Sequence, residues 1–100
     1  MQAFWFEQFG PAAAVLEQGD RPMPQPAAGE VLVRMHTTAV NPSDVKKRAG
    51  AFPDLLDTGP VIPHSDGAGV IEAVGDGVSP ARVGDRVFVY QAQHGRSGGT

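Results

Sequence analysis

Glu30-Val-Leu-Val-Arg-Met-His-Thr-Thr-Ala-Val40-Asn-Pro-Ser-Asp-Val-Lys-Lys-Arg-Ala-Gly50 is the stretch that decides the fold. In its first half, Val31, Val33, Met35, Thr37 and Ala39 alternate with Leu32, Arg34, His36, Thr38 and Val40. One set is mostly apolar and the other mixed, which is the period-two pattern of a strand with one buried face. This predicts a strand over residues 30–40. The pattern stops at Asn41. Asn is a good N-cap, Pro42 suits the first helical position, and Asp44 supplies a carboxylate at the third. Lys46, Lys47 and Arg48 put cations at the end that the helix dipole favours, and Gly50 is a natural stop. The spacing predicts a short helix over residues 42–49.

Working outward, residues 68–74 and 86–90 read as two further strands. The first ends at Gly75-Asp76-Gly77, and a tight turn at Val83-Gly84-Asp85 feeds the second. Upstream, apolar runs at residues 2–6 and 13–17, separated by Gly10-Pro11, read as two strands. Pro22, Pro24 and Pro26 withhold donors from any ladder, so residues 19–29 form an extended connector. Residues 51–63 are broken by Pro53, Gly59, Pro60 and Pro63, and from Gln91 the chain is loop-like. The sum is a mainly β domain with one short helix, arranged as a partly closed barrel.

Composition sets the outer bounds. One hundred residues make one small domain. That length holds a core, but not a core plus a complete dinucleotide-binding domain. A net charge of −3 argues against a nucleic-acid partner, which calls for a basic face. With no cysteine there is no disulfide, iron–sulfur cluster or thiolate zinc site. No run approaches the ~20 apolar residues of a membrane span, and the N-terminus lacks a signal-peptide layout. A cytoplasmic protein without membrane contact is the expectation.

Several apparent motifs have plain structural readings. Gly67-Ala68-Gly69 begins like a dinucleotide fingerprint, but Glu72 stands where the third glycine belongs and a β-branched strand follows instead of a helix. These glycines are expected to serve close packing or a bend. His36, His64 and His94 share no ligand spacing on a regular element, and the prediction is no metal. His64-Ser65-Asp66 holds the residue types of a hydrolase triad, yet neighbours in sequence cannot converge as a triad does. Asn41 to Asp44 is fully explained as a helix start, and Lys46-Lys47-Arg48 as a solvated face.

Four blocks in register carry more. Gly29-Glu-Val-Leu-Val-Arg34, Val40-Asn-Pro-Ser-Asp44 with Arg48-Ala-Gly50, Pro63-His-Ser-Asp-Gly-Ala-Gly-Val-Ile-Glu-Ala-Val-Gly75 and Val83-Gly-Asp-Arg-Val87 are similar to the N-terminal GroES-like domain of the medium-chain dehydrogenase/reductase superfamily. The chain most resembles the zinc-free quinone oxidoreductase branch, the zeta-crystallin-like group. Its tail, Tyr90 to Thr100, also resembles a stretch in some members.

The resemblance implies a site. Zinc-dependent relatives carry a ligand Cys where this chain has Asn41, and a ligand His where it has Ser65. Zinc is therefore expected to be absent. Asn41 and Asp44 are the implied catalytic pair, with Asn41 beside the nicotinamide ribose and Asp44 holding the helix start that aims it. Asn41, Pro42 and Lys46 are the implied NADPH contacts. Lys46, Phe52 and Ser65 are the implied substrate contacts, and Asp66 is given a structural, hydrogen-bonded role. The implied reaction is hydride transfer from NADPH to a quinone or α,β-unsaturated carbonyl.

In the family the cofactor is held mainly by a Rossmann domain that follows, which is not in this sequence. The chain is accordingly expected to be a truncated catalytic domain. It should be inactive alone, with an exposed sheet edge and an apolar patch where that domain packs. Full-length members form homodimers. Two alternatives stand beside this reading: an enoyl reductase domain of the same superfamily, and a non-catalytic GroES-like interaction module. A mobile apolar loop over residues 51–63 favours the module. A compact loop over a polar cleft containing Asn41 favours the enzyme.

Overall fold

Alternation and turn chemistry place the strands close to where the sequence puts them. A computed structural model of the chain describes residues 1–93 and 98–100. Five strands form two antiparallel sheets among these residues. Strands β1 (Gln2–Trp5) and β2 (Glu17–Asp20) make one, with Gln2 opposite Asp20 and Trp5 opposite Glu17. Strands β3 (Val31–Ala39), β4 (Asp66–Val74) and β5 (Arg86–Val89) make the other, in that order. Between β1 and β2 lies one turn of helix, α1 (Ala12–Val15). The helix after β3, α2 (Pro42–Arg48), begins at an extended Asn41 and stops before Gly50 at φ +98°. Gly50 meets that left-handed requirement without a Cβ penalty.

The structure corrects several sequence expectations. Residues 13–17 are not a strand: α1 occupies most of them, and the chain enters β2 at Glu17. Three consecutive alanines have the strongest helix propensity, and the Pro11 carbonyl accepts the N–H groups of Ala14 and Val15 at 3.0 and 3.1 Å. The proline connector thus starts at Arg21, not Gly19. The described residues hold two α-helices, not one, together with a single 3₁₀ turn at Pro80–Arg82. Strand β4 starts two residues early, at Asp66, and β5 ends at Val89. No closed barrel forms among the described residues. The chain leaving β1 is tied to the segment before β4 by an isolated bridge, in which Phe6 and Val61 exchange both main-chain hydrogen bonds at 3.0 Å.

Register shifts interrupt the predicted alternation in β3. They fall between Leu32 and Val33 and between Met35 and Thr37. Leu32 therefore joins Val31, Val33 and Met35 as half-buried, while Thr37 and Ala39 are exposed. The second irregularity lies against Gly67 and Gly69. A Cβ on Gly67 would fall on the Thr37 carbonyl oxygen, and one on Gly69 on the Arg34 carbonyl oxygen. The close-packing role expected of these glycines is thus realised where β4 crosses β3.

Phe6, Val61 and Ile71 are the fully buried apolar side chains among the described residues. Large apolar groups elsewhere face solvent: Phe88 is 78% exposed and Tyr90 68%, their rings stacked at 6.2 Å. Among the described residues β5 pairs only with β4, which leaves its other edge free. This agrees with the expected exposed edge and apolar patch.

Candidate functional site

The site is built where β3 hands the chain to α2. Ala39, the last residue of β3, lies opposite Asp66, the first of β4. Asn41 follows two residues later, and its side chain donates from Nδ2 to Asp66 Oδ2 at 2.7 Å. Its main-chain N–H donates to Asp44 Oδ2, also at 2.7 Å, the returning half of a capping box. Asp44 is 4% exposed, and its Oδ1 is buried without a hydrogen-bond partner among the described residues. One asparagine is thus held by two carboxylates, through its backbone and through its side chain.

The chain leaving β5 closes the other side. Gln91 takes a left-handed turn at φ 55°, and Ala92 N–H donates to the Ser65 carbonyl at 2.9 Å. Gln93, 6% exposed, donates to the Ile62 carbonyl and accepts from Lys47 Nζ at 3.3 Å. It ties α2 to the segment leading into β4. His64, just before Ser65, is also left-handed, at φ 76°. Asn, Asp and His tolerate this region better than most residues, but glycine is its usual occupant. His64 Nδ1 shares a 2.8 Å hydrogen bond with Thr38 Oγ1, which holds the turn.

These contacts enclose a polar cleft of about 480 Å³ lined by Asn41, Pro42, Ser43, Lys47, Ser65, Asp66 and Gln91. The structure thus brings together Asn41, Pro42 and Ser65 from the sequence-derived set. Asp44 stands behind Asn41 as its anchor. Lys46 and Phe52 do not line the cleft: Lys46 is exposed, and Phe52 is 54% exposed in the turns after α2. The basic run is not one solvated face either. Of the three, only Lys46 is exposed, since Lys47 bonds Gln93 and Arg48 Nε donates to the Gly10 carbonyl at 3.2 Å.

Ser43, Lys47, Asp66 and Gln91 are cleft residues that the sequence-derived site set lacks. The resemblance already gives Asp66 a structural, hydrogen-bonded role, and the pairing of β3 with β4 is what brings it to the cleft. A second, apolar groove of about 410 Å³ runs between the sheets beside Phe4, Met23, Leu32 and Met35, and it gathers none of the predicted site residues.

Among the described residues no three His, Cys, Asp or Glu side chains come together as a metal site. His36 lies exposed in β3, and His94 falls outside the described residues. The donors at the cleft are carboxamides, hydroxyls, an amine and one carboxylate, which do not suit the imidazole and thiolate preference of zinc. Also among the described residues, no helix is long and apolar enough to cross a membrane.

Residues 27–99 match the alcohol dehydrogenase GroES-like domain. The chain belongs to that family. Its similar proteins include quinone oxidoreductases. It is 39% identical to a rat (Rattus norvegicus) quinone oxidoreductase over 98 residues, covering 95% of this chain and 29% of the relative. The native structure of a mycobacterial quinone oxidoreductase superposes with a TM-score of 0.76 at 38% identity, over 88% of this chain and 27% of that one. A mycobacterial protein complexed with NADPH superposes at 0.79 with 35% identity, over 91% of this chain and 28% of that one. The GroES-like domain described here thus spans under a third of the length of these relatives.

Proposed function

We propose that this chain is the substrate-side domain of an NADPH-dependent quinone oxidoreductase that works without zinc. The observation that carries the reading is the meeting of Asn41, Ser65 and Asp66 in one polar cleft. The similarity to quinone oxidoreductases and to an NADPH-bound structure supports it. So does the segment after α2, which is not an open apolar loop. It runs through consecutive turns closed by hydrogen bonds from Leu55 to Phe52, Asp57 to Asp54 and Gly59 to Leu56. That compactness favours the enzyme over the interaction module, although the segment contributes no residue to the cleft lining.

When bound, NADPH supplies the hydride, and the chemistry is the cofactor's own. The chain's part is to bind and orient. Asn41 and Pro42, at the helix start, are the residues that would hold the nicotinamide end. Asn41, fixed on two sides, offers its carboxamide without reorganising when the reactants arrive, so part of the orientation cost is met in folding. Ser65 contributes a hydroxyl able to donate to a carbonyl oxygen of the acceptor. A quinone or enone polarised in this way would take up one hydride and one proton overall, the hydride of an enone going to carbon. Lys46 and Phe52, facing solvent, carry no part of this proposal.

The cofactor-binding share of the work lies in a following dinucleotide-binding domain. In the enzyme comprising both, Asn41→Ala is expected to lower kcat/KM for NADPH-driven quinone reduction by about 10- to 100-fold, as expected for one lost positioning contact. The isolated chain is expected to show no turnover. Unchanged kcat/KM in the variant, or tight NADPH binding by the chain alone, contradicts the proposal. Turnover of a 2-enoyl thioester in place of quinones moves the enzyme to the enoyl reductase alternative.

A further inference from the structure

We propose that Asp66 is a positioning residue that dictates which way the Asn41 carboxamide faces; its consequence for catalysis rests on the reading of the cleft given above. Hydrogen-bond polarity singles Asp66 out. Of the side chains lining the cleft, Ser43, Ser65 and Gln91 can each donate or accept. Lys47 only donates, and it is already committed to Gln93 Oε1 at 3.3 Å. Asp66, as a carboxylate, only accepts.

A carboxamide turned through half a revolution exchanges its nitrogen and oxygen with almost no change in shape, so its orientation is set by its partners. Here the partner is Asp66 Oδ2, 2.7 Å from Asn41 Nδ2, the short separation typical of a charge-assisted bond. The reverse orientation would set Asn41 Oδ1 against a carboxylate oxygen, two acceptors with no proton between them.

The carboxylate is itself well placed to act as a reference point. The β3–β4 ladder fixes Asp66 opposite Ala39. Its main-chain carbonyl accepts from Thr100 Oγ1 at 2.8 Å. Asp44, on the other side, holds the Asn41 backbone N–H and so determines where the residue sits. The two acids therefore have separate roles, with Asp44 setting the place of Asn41 and Asp66 its direction. Neither needs to touch a substrate to do so.

The experiment observes the Asn41 side-chain amide protons by NMR in the ¹⁵N-labelled chain, assigned through their loss in Asn41→Ala. In the native chain one of the two is expected downfield of its partner and slow to exchange. Asp66→Ala is expected to abolish both the shift and the protection. Asp66→Asn, which keeps the shape but permits either orientation, is expected to reduce the shift. It also serves as the informative variant if the backbone spectrum shows that Asp66→Ala has unfolded. Native-like Asn41 amide signals in either folded variant overturn the proposal. NADPH added at saturating concentration to the enzyme that includes the dinucleotide-binding domain separates this result from the functional reading. If the Asn41 signals depend on Asp66 but do not respond to NADPH, the positioning role stands and the cofactor assignment fails.

Discussion

Phe6→Ala is expected to cost the chain a large share of its stability. Phe6 is 1% exposed, and among the described apolar side chains it shares full burial with only Val61 and Ile71. Truncating a buried phenylalanine costs about 3–5 kcal/mol, from lost transfer energy and from the cavity left behind. A small domain has only about 5–15 kcal/mol in all. The position matters as much as the volume. Phe6 and Val61 form the bridge that joins the β1–β2 sheet to the rest of the chain. Removing the ring loosens the tie between the end of β1 and the segment before β4. Thermal unfolding followed by circular dichroism is expected to show a melting temperature lower by roughly 12–40 °C for a domain of this size. Phe88→Ala is the control: that ring is 78% exposed, and its loss is expected to change stability by less than about 0.5 kcal/mol. Equal effects of the two substitutions would mean that the core lies elsewhere.

Gly69→Val is expected to be nearly as damaging, for the opposite reason. Gly69 is buried in the central strand, paired with Met35 on one side and Val87 on the other. A Cβ there would fall on the Arg34 carbonyl oxygen and lie 2.9 Å from Val33 Cγ1. The first obstacle is backbone engaged in the sheet, so relief requires β3 and β4 to separate. The expected cost is about 3 kcal/mol, at the upper end for overpacking. With a urea slope of about 1–3 kcal/mol/M, the unfolding midpoint is expected to fall by on the order of 1–3 M. An unchanged midpoint would show that β3 and β4 do not approach as described. The same substitution at Gly77, where nothing lies within 4 Å, meets no such obstacle. Gly77 has φ +85°, however, so its penalty is one of backbone conformation alone.

Gly67 and Gly69 are assigned to close packing from sequence because the dinucleotide alternative fails on local grounds, at Glu72 and at the strand that follows. Helix α2 is legible because its signals are local: cap, proline, acid, cations and glycine all fall within ten residues. Helix α1 is not, because three alanines have no hydrophobic period, so an apolar run there fits either element. The Glu17-Gln-Gly-Asp strand has no apolar alternation at all. It forms because Gln2 to Trp5 offers it a partner, with Gln2 Nε2 donating to Asp20 at 2.8 Å across the pair. Barrel closure is a property of distant pairings. Here the bridge that ties the end of β1 to the segment before β4 is Phe6 with Val61, 55 positions apart in the chain by subtraction of their numbers.

The site follows the same division. Asn41 stands out through its place at the helix start, and Ser65 through its resemblance to a ligand position. Their common cleft depends on the pairing of Ala39 with Asp66, which no local pattern specifies. Lys46 is suggested by family position alone. On a helix that turns about 100° per residue, it is Lys47 that reaches the cleft and Lys46 that faces solvent. Gln93 lies in a segment whose polar, glycine-rich composition suggests only a loop. Its burial follows from satisfying both the Ile62 carbonyl and the Lys47 ammonium.

The function proposed for this chain turns on the Asn41 cleft receiving the nicotinamide end of the cofactor. The most direct test is a pair of titrations of the ¹⁵N-labelled chain, one with reduced nicotinamide mononucleotide and one with adenosine 2′,5′-bisphosphate. The first is expected to shift the backbone amides of Asn41, Ser43, Ser65, Asp66 and Gln91, and the second to leave them in place. Shifts at these amides with the adenosine half, or a nicotinamide half that perturbs only the groove beside Phe4 and Leu32, would contradict that assignment.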